Sequence, residues 1–241
     1  MAEGPRLLGA ALDARADIEA VFVAGDAAGD LELDSLLQRA AAAGVRVFDL
    51  APGVLERVAD TVTPQPVLSV VRMPSATLDD VAGADFVVVC AGVRDPGNSG
   101  AIIRAADASG AGAVVCCEGT ADPFNPKAVR ASAGSVLHVP VVRGAIALEV
   151  LAALGRRGIR RLAAATRDGS NPENVDLVAP VALVFGNEAS GLPGSLRTEI
   201  DEQVTIPMSG QAESLNVSLA AAVLCFEVRR QRSNLRAVEQ A

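Results

Sequence analysis

The chain has 241 residues, half of them apolar, which suits one large α/β domain or one domain with a small companion and excludes a collagenous or mostly disordered chain. No apolar run reaches the roughly 18 residues of a membrane span, and the opening MAEGPRLLGA lacks the basic and then apolar profile of an export signal, so a cytoplasmic protein is expected. The formal net charge of −8 argues against a nucleic-acid partner, because lysine and arginine supply most of the affinity for phosphates. The basic residues are unevenly placed, however. Arg156, Arg157, Arg160 and Arg161 cluster, as do Arg229, Arg230, Arg232 and Arg236, forming either a local basic patch or merely solvated helix ends and faces. Cys90, Cys116, Cys117 and Cys225 fit no metal-ligand spacing and His138 is the single histidine, so no metal is expected and the thiols should be reduced and mostly buried.

In chain order, a helix over Arg6–Ala14, a strand Val21–Ala24, a helix Leu33–Ala43 ending at Gly44 and a strand Val45–Leu50 make a small α/β unit. The segment Thr61–Pro74 has three prolines around a β-rich centre and reads as a linker feeding a strand, which places a domain boundary near Thr63. The expected division is therefore 1–63 and 64–241. Beyond it, β-rich runs at Phe86–Cys90, Ala113–Cys117, Val136–Val141, Arg161–Thr166, Val181–Phe185 and Gln203–Ile206 alternate with helices at Asn98–Ser109, Asn125–Ala131 and Ile146–Arg157. That alternation predicts a mostly parallel sheet with helices on both faces. A last helix beginning near Ser214 puts Leu215, Leu219, Ala222, Val223 and Phe226 on one stripe, to pack against the sheet or a second subunit. His138 reads as a strand residue with a satisfied hydrogen bond, and Cys116 and Cys117 should point to opposite faces of their strand.

Three loops at carboxyl ends of strands are rich in Gly, Asn and Ser, and ligands of open parallel sheets bind at such ends. In Val93–Ala111 the Asp95-Pro96-Gly97-Asn98 turn leads into a helix capped by Asn98 or Ser99, from which Arg104 can reach back toward the loop. In Leu183–Pro193 an apolar strand runs into Gly186-Asn187-Glu188-x-x-Gly191, delivering a carboxylate beside glycines that permit close approach to the backbone. In Ile206–Glu227 a strand end and flexible loop lead to Ser214-Leu215-Asn216 at the start of the last helix, with Ser214 as its cap. Each loop alone is equally a capped helix or a tight turn, and neither of the first two has a GxGxxG spacing.

Taken together, the order Asn98-x5-Arg104, then strand-GNExxG, then IPMxGxxxSLNVSxA resembles the three signature motifs of the SpoU (TrmH-like) ribose methyltransferases, a branch of the SPOUT superfamily. The likeness runs from about Val67 to the C-terminus. The first 60 residues resemble the small α/β RNA-binding domain that precedes the catalytic domain in many members acting on ribosomal RNA. The resemblance implies a C-terminal trefoil knot, an exception to unthreaded topology, and S-adenosyl-L-methionine held there in a bent conformation. It implies methyl transfer to an RNA ribose 2′-hydroxyl, ribosomal RNA being the expected substrate, and a homodimer paired through the knotted domain. Gly186, Ile206, Met208 and Leu215 match its cofactor-binding positions, and Asn98, Arg104, Glu188, Ser214 and Asn216 its conserved polar set.

A ribose hydroxyl is a poor nucleophile at neutral pH, so the reaction needs proton removal, alignment and stabilisation of a developing alkoxide. Arginine stays protonated, so the resemblance gives Arg104 an orienting and charge-stabilising role. Asn98, Ser214 and Asn216 would fix substrate and loops, and Glu188 would hold its loop and Arg104. The sequence opens almost at once with EGPRLL where many members that act on ribosomal RNA carry a longer basic arm, and with no Trp or Tyr any base stacking falls to Phe or Arg planes. The alternatives are a tRNA 2′-O-methyltransferase, a non-catalytic RNA-binding or ribosome assembly factor of the same fold, and a generic nucleotide-binding enzyme.

Overall fold

The computed structural model describes residues 1–25, 30–59 and 61–239, the stretch 236–239 by backbone alone, so the Arg236 side chain lies outside the described residues. The first sheet is built from β1 (Ala2–Glu3), β2 (Ile18–Ala24), β3 (Arg46–Leu50) and β4 (Val67–Val71) in the order β1-β4-β2-β3. Strands β2 and β3 are parallel, and β4 runs antiparallel to both β1 and β2. Helices α1 (Pro5–Asp13) and α2 (Leu31–Ala42) cover one face, setting Leu8, Ala11, Leu33 and Leu36 against Val21 and Val23. Asp30 caps α2 by accepting from the Glu32 and Leu33 amides. A short α3 (Leu55–Val58) follows β3.

The expected linker at Thr61–Pro74 contains β4, so the first sheet extends to Val71, past the expected boundary near Thr63. Prolines at 64 and 66 were the signal for a linker. They stop short of the ladder, and Pro66 contributes its carbonyl to the Ala24 amide.

The second sheet holds β5 (Phe86–Cys90), β6 (Ala113–Cys117), β7 (Val141–Ala145), β8 (Arg160–Ala164), β9 (Val181–Phe185) and β10 (Glu202–Val204) in the order β10-β8-β9-β5-β6-β7, every pairing parallel. Its central strands are buried at every residue, as Phe-Val-Val-Val-Cys and Val-Ala-Leu-Val-Phe require, because helices cover both faces. On one side α4 (Pro96–Ser109) and α7 (Val217–Glu239) contribute Ile102, Ile103, Ala106, Ala221, Leu224, Cys225 and Val228. On the other, α6 (Ala147–Arg156) contributes Val150, Leu151 and Leu154. Cys116 and Cys117 divide between these two layers as their alternation requires, and all four cysteines are free and buried.

Four local expectations need correction. The run Val136–Val141 is not a strand: Gly134 takes a left-handed φ of 98°, a 3-10 turn spans Ser135–Leu137, and β7 begins only after Pro140, which lacks an amide to pair. His138 therefore follows that turn, with Nε2 3.2 Å from the Ala10 carbonyl and Nδ1 3.4 Å from Asp107. Helix α4 is capped by Asp95, which accepts from the Asn98 amide, and not by Asn98 or Ser99. Helix α7 starts at Val217, with Asn216 accepting from the Ser218 amide at 2.8 Å, so Ser214 is no cap. Of the two partners expected for the α7 stripe the sheet is not the one it meets, since Leu219, Val223 and Phe226 are exposed while Ala221, Leu224 and Cys225 between them are buried.

The two sheets meet through α5 (Pro126–Ser132) and the turn after it. A Cβ on Gly134 would lie 2.3 Å from the Ala10 Cβ of α1, so the backbones touch there only because residue 134 has no side chain.

Candidate active site

Because the second sheet is all parallel, the carboxyl ends of its strands share one edge. The loop after β9 is drawn tight by reciprocal bonds, Asn187 amide to Gly191 carbonyl at 2.9 Å and Gly191 amide to Asn187 carbonyl at 2.8 Å. A Cβ on Gly186 would sit 2.4 to 2.5 Å from backbone atoms of Gly191 and Leu192, so glycine is demanded there by the loop's own closure. Asn187 stitches the loop further, donating to the Gly92 carbonyl and accepting from Ala189 and Ser190.

This loop presents Glu188 to the loop between β5 and α4. The carboxylate accepts from the Arg94 amide at 3.2 Å, the Asp95 amide at 3.3 Å and Asn98 Nδ2 at 3.0 Å. Partial burial pushes the Glu188 carboxyl up, but the donors, Asn98 foremost, outweigh it and hold the group below its ordinary value. Asn98 Oδ1 in turn accepts from Asn216 Nδ2 at 3.1 Å. One hydrogen-bonded line thus joins all three predicted motifs: Asn216 to Asn98 to Glu188.

A cavity of about 600 Å³ opens beside this line, within the usual size range for small-molecule sites. Its walls come from the ends of β8 and β9, the Gly186–Leu192 loop, the 203–216 segment and the first turns of α7. Gly186, Glu188, Ile206, Met208, Ser214, Leu215 and Asn216 border it; Asn98 and Arg104 do not. Asn98 is tied in through its hydrogen bonds. Arg104 is exposed on α4, and Glu188, expected to hold it, bonds the loop and Asn98 instead. The reason is helical geometry: six residues at 100° each turn Arg104 well away from the face that carries Asn98.

Sequence reasoning missed Asp95, Thr120 and Arg197. Asp95 caps α4 and binds Lys127 Nζ at 2.7 Å, and the lysine contact, with the Asn98 amide, holds its carboxyl low. An Asp-Pro pair before a helical run was the available signal. Thr120 donates to the Cys90 carbonyl and accepts from the Gly92 amide, and Arg197 borders the cavity; no local pattern marks either. Burial pushes the Cys117 and Cys225 thiols up to about 12, so neither is a nucleophile at neutral pH. Among the described residues no group of His, Cys, Asp or Glu is placed to hold a metal, and no helix is long and apolar enough to cross a membrane.

Residues 85–226 match the model of the SpoU rRNA methylase family, and residues 1–69 match that of the MRM3-like substrate binding domain. The chain belongs to the SpoU rRNA methylase family. Among SpoU relatives, the 23S rRNA (guanosine-2′-O-)-methyltransferase RlmB of Ralstonia nicotianae is 34% identical over 227 residues, 92% of this chain and 90% of the relative. The 23S rRNA (guanosine(2553)-2′-O)-methyltransferase RlmP of Bacillus subtilis is 34% identical over 186 residues, 77% of this chain and 73% of the relative. The SpoU methyltransferase AviRb from Streptomyces viridochromogenes, solved in complex with AdoMet, superposes with a TM-score of 0.84 at 30% identity over 97% of this chain and 90% of its own.

Proposed function

We propose that this SpoU enzyme transfers the methyl group of S-adenosylmethionine to a ribose 2′-hydroxyl of 23S ribosomal RNA. The observation that carries the reading is the cavity at the strand edge, bordered by the cofactor positions of the family and joined by hydrogen bonds to its polar set. Its lining fits a nucleoside with an amino-acid tail: Leu192, Ile206 and Leu215 are apolar, while Arg197 and Glu213 offer opposite charges to a zwitterion. Gly186, Ile206, Met208 and Leu215 would hold that molecule. When bound, it supplies an electrophilic methyl on a sulfonium.

The chain's own residues do the positioning. Glu188, fixed by three donors from the β5–α4 segment, locks that loop against the β9 loop, and Asn98 and Asn216 keep this side of the cavity in one geometry. Ser214, exposed at the cavity, is a donor for the substrate ribose. Arg104 orients the hydroxyl and stabilises the developing alkoxide as a permanent cation. Because Arg104 stands outside its own cavity on α4, which packs against α7, the working unit is a homodimer in which the partner completes the site. The exposed Leu219, Val223 and Phe226 on α7 are the surface for that two-fold contact. The chain from β9 onward forms the trefoil knot. The first domain, with its sheet running to Val71, holds the RNA.

Ribosomal RNA is favoured over tRNA by the extent of the likeness. The AdoMet-bound rRNA methyltransferase from Sinorhizobium meliloti matches 95% of this chain with a TM-score of 0.80, whereas the A. aeolicus TrmH/SpoU tRNA modifying enzyme matches 62% with 0.54. The test is methyl transfer from labelled S-adenosylmethionine to transcribed 23S ribosomal RNA, with the product mapped for 2′-O-methyl sites against RNA from cells lacking the gene. A site lost in those cells and restored in the tube is the expected result. Identical methylation maps would overturn the reading.

A further inference from the structure

The chain has no Trp or Tyr and six Phe, so aromatic surface for nucleobases is scarce. Phe86 and Phe185 are buried, and Phe226 lies on the α7 stripe. Phe22 and Phe48 stack on each other in the first domain, and Arg46 lies over Phe48 and Arg229 over Phe226. What sets Phe124 apart is its place, in the loop between β6 and α5 at the edge of the sheet that carries the cavity. Phe124 packs partly against the core, and the guanidinium carbon of Arg143 on β7 lies over its ring, 5.6 Å from the centroid. Arg143 is steadied by Asp122 at 3.9 Å, and 47% of its side chain remains exposed, which leaves the face turned away from the ring open.

The position of this pair is as informative as its chemistry. Strand β7 ends on the same edge as β9, three places along the sheet, or about 14 Å at the usual strand spacing. The intervening loops are bonded in series. The Ala121 amide donates to the Val93 carbonyl at 2.8 Å, Lys127 reaches Asp95, and Asp95 and Arg94 donate their amides to Glu188 at the cavity. Arg94 is exposed on the loop between β5 and α4, with no carboxylate among the described residues in ion-pair range, whereas Arg130 lies on α5 and borders a small recess with Met1, Glu3 and Leu68 of the first domain.

We propose that Arg143, lying over Phe124, is a stacking platform for an unpaired RNA base flanking the methylated nucleotide, with Arg94 neutralising phosphate charge between platform and cavity. The inference rests on the methyl-transfer reading and adds the path by which the substrate strand enters. A planar guanidinium backed by an aromatic ring accepts any base on its free face, whereas an ammonium does not.

The test uses the full chain and transcribed 23S ribosomal RNA, with RNA affinity from filter binding, RNA KM from methyl transfer and S-adenosylmethionine affinity from calorimetry. Arg143→Ala should weaken RNA binding about tenfold, the scale of one lost base stack. Arg143→Lys should weaken it nearly as much despite keeping the charge, and neither change should move S-adenosylmethionine affinity. Because Arg143 is a surface residue, both variants should fold, which melting curves would check. Unchanged RNA affinity in Arg143→Ala, or full rescue by lysine, overturns the platform while leaving methyl transfer intact. A wild-type chain that methylates no RNA overturns the methyl-transfer reading, and the binding arm still decides whether Arg143 stacks on the strand.

Discussion

Arginines near β8 and β10 and arginines near the β5, β6 and β7 loops share one chemistry and meet opposite fates. Arg161, only 15% exposed, holds Asp201 through two bonds at 2.7 and 2.8 Å and Glu199 at 3.0 Å, while Arg160 binds Glu202 and Arg157 binds Asp79. Even Gly155 serves this arrangement, since a Cβ there would fall 2.4 Å from the Arg161 guanidinium. Arg160 and Arg161 fasten β8 to the chain around β10, and Arg157 ties the end of α6 to the segment before β5. Arg94, Arg104 and Arg130 are exposed without an ion-pair partner among the described residues, and Arg143 lies against a ring. Of the crowded run 156–161, which in sequence reads equally as a basic patch or as solvated helix ends, Arg160 and Arg161 are scaffolding, Arg157 pairs with Asp79 and Arg156 is exposed. The scattered arginines are the ones left for an anionic partner.

The comparison breaks most sharply at Arg104. Arg104→Ala should cut methyl-transfer turnover by roughly 10²-fold or more, the scale of a positioned charge-stabilising group, with S-adenosylmethionine affinity unchanged by calorimetry. Wild-type turnover in that variant would remove Arg104 from the chemistry. Next in size is Arg161→Ala, expected to cost about 2 kcal/mol in denaturant unfolding, since it strands two carboxylates that now receive charge-assisted bonds. Its turnover per folded molecule should stay at the wild-type level, and a selective loss of turnover would erase the distinction between the two sets.

Asn216→Ala should cost about 1 kcal/mol through the lost α7 cap, and it should also loosen the β5–α4 loop, read as faster amide exchange at Arg94 and Asp95. Glu188 makes the link pH-sensitive. Its carboxyl is depressed in the folded chain, so its stabilisation is complete above the ordinary carboxylate range and is lost as pH falls through the depressed value. Unfolding curves across acid pH should therefore be shallower for Glu188→Gln, and identical slopes would show that Glu188 is not held low. The smallest effect belongs to Arg230→Ala, whose half-exposed guanidinium pairs with a largely covered Glu227 that keeps its bond from Gln231, and only a slight drop of the unfolding midpoint is expected.

The strands of the second sheet were readable because runs such as Phe86–Cys90 and Val181–Phe185 are apolar at every position, which only a sheet covered on both faces tolerates. The loop motifs were readable as a set because Gly, Asn and Glu recur at fixed spacing, and the structure does bring Asn98, Glu188 and Asn216 together. Other features depend on partners far along the chain. Strand β4 is a strand because it finds β1 and β2, and nothing inside Val67–Val71 tells those partners from the next sheet. The α7 stripe has a helical period whether it faces the core or solvent, and only the fold decided that Leu224 and Val228 turn inward while Leu219 and Val223 do not. Arg104 lay six residues from Asn98 in sequence, and that spacing on a helix separates the two side chains.

The contact between Gly134 and Ala10 bears on how a substrate is measured. With the Ala10 carbonyl 3.2 Å from His138 and no space for a single methyl group between α1 and the turn at Gly134, any swing of the first domain has to break this contact first. The domain stands at a preset span from the cavity, like the fixed jaw of a caliper. An RNA whose gripped feature and target ribose lie at another spacing gains nothing by bending the protein. On the proposed reading of the first domain as the RNA-holding one, selection of a nucleotide falls to the geometry of the RNA, read against a gauge that Gly134 keeps closed.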